Sequence, residues 1–157
     1  MFDLIQLNGP VRASRWWYVL PGYLTLWSVT NGVWTFVDGE GLFDTFGIDI
    51  TVVTTGDEFV LANSGARYLG IATALVIGVF LVNSAAAAFT ALSARLVMDL
   101  GDVVAGIRSD QFDNVALGIV QSAVMFIGPC LISIAWLVRA TRGAPDRPTQ
   151  DEPMRIS

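Results

Sequence analysis

From Tyr68 to Met98 the chain runs for about 31 residues with almost no polar interruption. One helix of that length would reach roughly 46 Å, whereas the hydrocarbon core of a bilayer is about 30 Å thick. The run therefore holds either one helix that projects into water or two helices that meet in a tight turn. Asn83-Ser84, just ahead of the small residues Ala85 to Ala88, is the place for such a turn, and the two-helix reading is preferred.

A chain of 157 residues that is 54% hydrophobic and only 15% charged is too apolar for a soluble domain of this size, which would carry about 25% charged residues. The same reading, carried along the chain, gives four membrane spans at about 16–37, 66–83, 85–107 and 112–138. The first is too long in its apolar core for a signal peptide and lacks an Ala-x-Ala site, so a retained anchor is expected. Trp16, Trp17 and Tyr18 at one end of it and Trp34 and Phe36 near the other suit the headgroup level. The expected fold class is all-α: an integral membrane four-helix bundle forming a single domain over residues 1–140, with residues 141–157 as a disordered cytoplasmic tail.

An acidic segment from Asp38 to Glu58 separates the first two spans and is expected outside the cytoplasm. It contains a β-leaning run from Ile48 to Thr54, and is expected to be a loop with either one short strand or one amphipathic turn at Gly41 to Phe46. Thr55-Gly-Asp-Glu58 has the spacing of a capping box, which would start the second helix near Gly56. Gly70 and Gly78, two turns apart, suit close helix packing, and Gly128-Pro129 predicts a kink in the last span. Arg12 and Arg15 before the first span, and Arg139, Arg142 and Arg147 after the last, place both termini in the cytoplasm by the positive-inside bias. All nine basic residues are Arg, which fits a GC-rich bacterial source, and the expected location is a bacterial cytoplasmic membrane.

The third span carries the feature that bears on function. Arg95, Asp99 and Asp102 stand at i, i+4 and i+7, so that Asp99 lies roughly 40° to one side of Arg95 and Asp102 roughly 20° to the other, and Ala91 and Gly106 continue the stripe. Each ionisable group inside a bilayer costs about 2.5 to 3.5 kcal/mol on insertion scales, so such groups pair and face protein or water. Arg95 can reach Asp99 within its own helix. Asp102 needs a partner from elsewhere, and Arg67, near the outer end of the second helix, is the basic residue at the right depth. Asn31 and Thr30 in the first span, Asn83 at the turn, and Gln121 and Ser122 in the fourth are candidates to complete a polar cluster. Three readings of the stripe stand side by side: ion pairs that fix helix register, a third helix lying at the interface or in water, and a working site for a ligand, ion or proton.

No His is present and the one cysteine, Cys130, lies in an apolar run, so the usual zinc, haem and iron–sulfur ligand sets are excluded. No cofactor and no metal is expected; Asp38, Glu40 and Asp44 lack calcium-loop spacing. There is no nucleophile elbow, no His base and no nucleotide loop, which argues against an enzyme, and the net charge of -5 gives nucleic acid no purchase.

The Arg67-Tyr-Leu-Gly70 opening of the second span with Gly78 beyond it, the short turn into a charged third helix, and a small fourth helix resemble the small four-helix bacterial membrane proteins described as DoxX-like. The resemblance covers the second half of the chain and implies a four-helix membrane bundle without implying a chemistry. The expected function is a non-enzymatic accessory or binding component, whose partners are the lipid bilayer and either a larger membrane complex or further copies of itself. The alternative is a small proton- or solute-conducting protein that uses Asp99 or Asp102.

Overall fold

A computed structural model describes residues 15–45, 54–82, 84–108 and 115–142, and every element in it is helical. Helix α1 enters through a tight turn at Arg15–Tyr18 and continues as Val19–Thr45. Helix α2 comprises Thr55–Leu75 and a wide π-helical turn at Val76–Leu81. Helix α3 is Ala85–Arg108. Helix α4 comprises Val115–Ser122, a second wide turn at Ala123–Ile127, and Gly128–Arg142. The four run alternately up and down, so α1 and α3 share one direction and the two ends of the bundle differ. One end, called here the terminal end, carries the start of α1, the end of α4 and the α2–α3 turn; the other, the loop end, carries the α1–α2 and α3–α4 connections.

The run from Tyr68 to Met98 is broken, as in the two-helix reading, with α2 ending at Leu81 and α3 starting at Ala85. Asn83 lies outside the described residues, as do the β-leaning segment up to Val53 and the tail beyond Arg142. No strand occurs among the described residues.

Local chemistry sets the ends and bends. The capping box lies one residue earlier than the spacing suggested. The hydroxyl of Thr54 accepts from the Asp57 amide at 3.3 Å, while the Asp57 carboxylate accepts from the Thr54 amide at 2.9 Å. Both Thr54 and Thr55 offer a capping hydroxyl and both have an acid three residues on; the cap is Thr54, whose backbone is extended, φ -131° and ψ 158°, while Thr55 already lies in the helix. Within α1, Asp38 leaves helical geometry (φ -155°, ψ 76°), and its carboxylate accepts from the Gly41 amide at 3.0 Å, restarting the helix through Thr45. The apolar stretch thus ends at Val37 as expected, and the amphipathic turn expected from Gly41 falls in this restarted segment as far as Thr45, Phe46 lying outside the described residues. In α4 the proline kink takes the form of the wide turn: Pro129 clashes with a regular preceding turn, so Gly128 donates to the carbonyl of Ala123, five residues back.

Small residues bring the helices together. A Cβ on Gly32 of α1 would stand 2.7 Å from the Leu69 side chain and 3.2 Å from the Gly65 carbonyl of α2, and Gly65 is equally tight against Phe36 and Gly32. A Cβ on Gly78 would stand 2.7 Å from the Ala87 carbonyl of α3, which bears out close packing there. Gly70 does not share that role, since nothing lies within 4 Å of it. Its place in the α1–α2 contact is taken by Gly65, a little over one turn earlier.

The apolar core sits toward the terminal end, where Trp17, Leu24, Leu75, Val79, Leu92 and Leu137 are fully enclosed. Around it the outer surface is apolar: Leu26, Val29, Val33, Val97, Val104, Leu117, Val120, Val124, Leu131 and Ile132 are exposed. By length and composition, two helices, Thr55–Leu81 and Val115–Thr141, are apolar enough to cross a membrane. Four spans were expected on sequence; α3 falls short because the three charges and Arg108 dilute it, and α1 because Pro21, Ser28, Asn31 and its threonines and glycines lower the hydropathy of the stretch before Asp38.

Candidate functional site: a charged cleft between the four helices

The stripe on α3 faces inward. Arg95 is 1% exposed and Asp99 4%, and the two form a two-pronged pair: Nε donates to Oδ2 at 2.9 Å and Nη2 stands 2.8 Å from Oδ1. The remaining Nη1 donates to the hydroxyl of Ser28, which in turn donates to the Leu24 carbonyl at 2.8 Å. The guanidinium also lies against the rings of Phe126 and Tyr68, 5.5 and 5.9 Å from their centroids. Three helices besides its own therefore hold Arg95, and both carboxylate oxygens of Asp99 are occupied. A charge that is buried and hydrogen-bonded in this way is fixed in place.

The second pair differs. Arg67 Nη2 stands 2.8 Å from Asp102 Oδ1, as the depth of the two residues suggested, but the side chains are 47% and 33% exposed rather than buried. The other oxygen of Asp102 has only the Tyr68 hydroxyl at 3.5 Å. Two identical residue pairs, one turn apart on α3, thus occupy different environments. The inner is closed and fully coordinated; the outer is open and held by one short contact.

Between them lies a cleft of about 180 Å³ that opens in the loop-end half of the bundle. Helix α1 lines it with Asn31, Leu42 and Phe43; α2 with Ser64, Arg67 and Tyr68; α3 with Arg95, Asp99, Asp102, Val103 and Gly106; and α4 with Gly118, Gln121, Ser122 and Phe126. All six residues singled out on sequence, Arg95, Asp99, Asp102, Arg67, Gln121 and Asn31, meet at this cleft. Thr30 does not, for it lies on the exposed face of α1.

Several partners carry no sequence signal of their own. Ser28, Tyr68 and Phe126 are of types found throughout helices, and their role depends on how α1, α2 and α4 rotate against α3. Phe43 joins because α1 resumes after Asp38. Cys130 Sγ is fully buried, 4.0 Å from Asp99 Oδ2, and has no access to solvent.

Two amides complete the wall. Asn31 is 3% exposed yet its side chain has no hydrogen-bond partner among the described residues, and Gln121, half-buried opposite, has none either. Buried amides ordinarily find partners; these two are turned to the cleft. Among the described residues no group of three metal-ligating side chains occurs.

The cleft has a floor. Below Arg95 and Ser28, toward the terminal end, come Leu24, Leu75, Val79, Leu92 and Leu137, with Trp17 donating to the Ser133 carbonyl at 3.3 Å. Among the described residues the polar side chain buried in that layer is Ser133, and its hydroxyl is committed to the Pro129 carbonyl at 2.7 Å. No family model, curated protein or solved structure matches this chain.

Proposed function

We propose that this chain is a multi-pass membrane protein acting as a non-enzymatic binding or accessory component, with the cleft as its binding site. The observation that carries the reading is the blind end of the cleft. It reaches from the loop end to Arg95 and stops at an enclosed layer of apolar side chains whose one buried hydroxyl among the described residues, that of Ser133, is spent on a backbone carbonyl, whereas a conductor needs a wettable path through both halves of the bilayer. The fixed pair at its base and the open pair at its mouth suit a receptacle: the inner charges orient, and the outer ones exchange. Membrane residence is supported by the many large apolar side chains exposed on the outer surface, of a kind soluble monomers expose only in small patches, and by the two apolar helices. The arginines at the terminal end favour a bacterial cytoplasmic membrane with both termini inside, in keeping with the DoxX-like layout, and the cleft then faces outward.

Reconstitution in liposomes tests the choice between binding and conduction. The expected result is a proton and solute leak no greater than that of protein-free vesicles. A flux that appears with the protein and vanishes in Asp102→Asn would establish conduction instead. Accessory status predicts a stoichiometric partner, or a second copy, retained in mild detergent.

A further inference from the structure

We infer that the cleft binds a small amphipathic monocarboxylate, which displaces Asp102 from Arg67, and that Asp102 takes up a proton as the anion enters. The inference rests on the binding reading above and names the class of ligand.

The sign of the ligand follows from which charges are still available. Asp99 has both oxygens on Arg95 and is enclosed. A cation would have to use Asp102 alone, with Arg67 and Arg95 both facing it. The guanidinium of Arg67 is instead half-exposed at the mouth and spends one nitrogen on Asp102, leaving the rest of its planar fork open. Beside it, the unpartnered amides of Asn31 and Gln121 supply N–H donors to the same space. A carboxylate matches this set, since its two oxygens accept from a guanidinium edge and an amide together. Leu42, Phe43, Val103 and Phe126 form the rest of the wall and suit a short hydrocarbon or aromatic tail.

Charge balance then dictates the proton. The site holds two guanidiniums and two carboxylates, and the groups facing Asp102 are Arg67 and Tyr68 from α2 and Arg95 and Asp99 from its own helix; the lining residues of α1 and α4 are uncharged. An anion that pairs with Arg67 leaves Asp102 beside a second carboxylate in a largely apolar cleft, which disfavours its charged form. One ion pair breaks and another forms, one proton passes from water to an Asp102 oxygen, and the net charge of the site is unchanged.

The test is calorimetric titration of the purified full chain in nanodiscs with benzoate, benzamide and benzylammonium. Benzoate is expected to bind, with a dissociation constant that rises about tenfold per pH unit where the ligand is ionised, the mark of one proton taken up. In Asp102→Asn, benzoate binds at least tenfold tighter and without that pH dependence; in Arg67→Gln, binding falls at least tenfold. Should either charge variant fail to fold, Gln121→Leu, which touches neither ion pair, carries the test through a tenfold loss. Binding of benzamide or benzylammonium in preference to benzoate overturns the carboxylate and leaves a binding site standing. Absence of all three, or benzoate binding that ignores pH or these substitutions, overturns the proposal; flux in liposomes overturns the binding reading itself.

Discussion

Arg95 and Asp99 form a two-pronged ion pair with nearly no solvent access, and Ser28 supports it from a different helix. Such a pair contributes little net stability against an apolar replacement but is costly to break on one side, by about 3 to 5 kcal/mol. Asp99→Asn is therefore expected to lower the unfolding free energy by an amount of that order. Replacing both residues together, as Arg95→Met with Asp99→Leu, is expected to recover most of the loss. Reversible unfolding in detergent, followed by far-ultraviolet circular dichroism, measures both.

The outer pair predicts the opposite. Arg67 and Asp102 are linked by a single short contact between side chains with water nearby, and pairs of that kind are worth about 0 to 1 kcal/mol. A double-mutant cycle of Arg67→Gln and Asp102→Asn is expected to return a coupling within that range. A coupling near that of the inner pair would show that the mouth is dry.

The inner and outer pairs were both legible as residues, because a carboxylate or guanidinium in an apolar run must find a partner, and helical spacing says which face it shares. Their unequal exposure was not. That difference depends on how far α1 and α4 cover each turn of α3, and the covering residues, Ser28, Asn31, Gln121 and Phe126, are ordinary helix residues whose direction is set by packing. The same limit applied to the glycines. Spacing drew attention to Gly70 and Gly78, but only contact geometry shows that Gly70 is open and that Gly32 and Gly65 form the crossing point of α1 and α2. The four helices themselves were readable, since length and apolar runs fix where helices must stop.

That crossing point can be probed directly. Gly65→Ala places a Cβ 2.9 Å from the Phe36 ring and 3.2 Å from a backbone carbonyl, so α1 and α2 must separate, at about 1 to 3 kcal/mol. Gly70→Ala meets no neighbour and gains helix propensity, so it is expected to be neutral or stabilising by up to about 1 kcal/mol. Thermal midpoints of the two variants against the parent chain decide it. Equal losses would place Gly70 in the interface after all.

The start of α2 offers a test of register at single-residue resolution. Thr54 and Thr55 are adjacent, both are exposed, and only Thr54 has its hydroxyl within reach of the Asp57 amide. Thr54→Ala removes that acceptor and the Thr54 hydroxyl's own bond to the Asp57 carboxylate, 2.9 Å long, and is expected to cost about 1 kcal/mol. Thr55→Ala stands in the first turn, loses no cap and adds a better helix former, so it is expected to leave stability unchanged or slightly raised. Amide hydrogen exchange across residues 55–60 gives a local readout that global unfolding would blur: protection falls in Thr54→Ala and holds in Thr55→Ala. The reverse pattern would move the cap to Thr55 and Glu58, where residue spacing alone had put it.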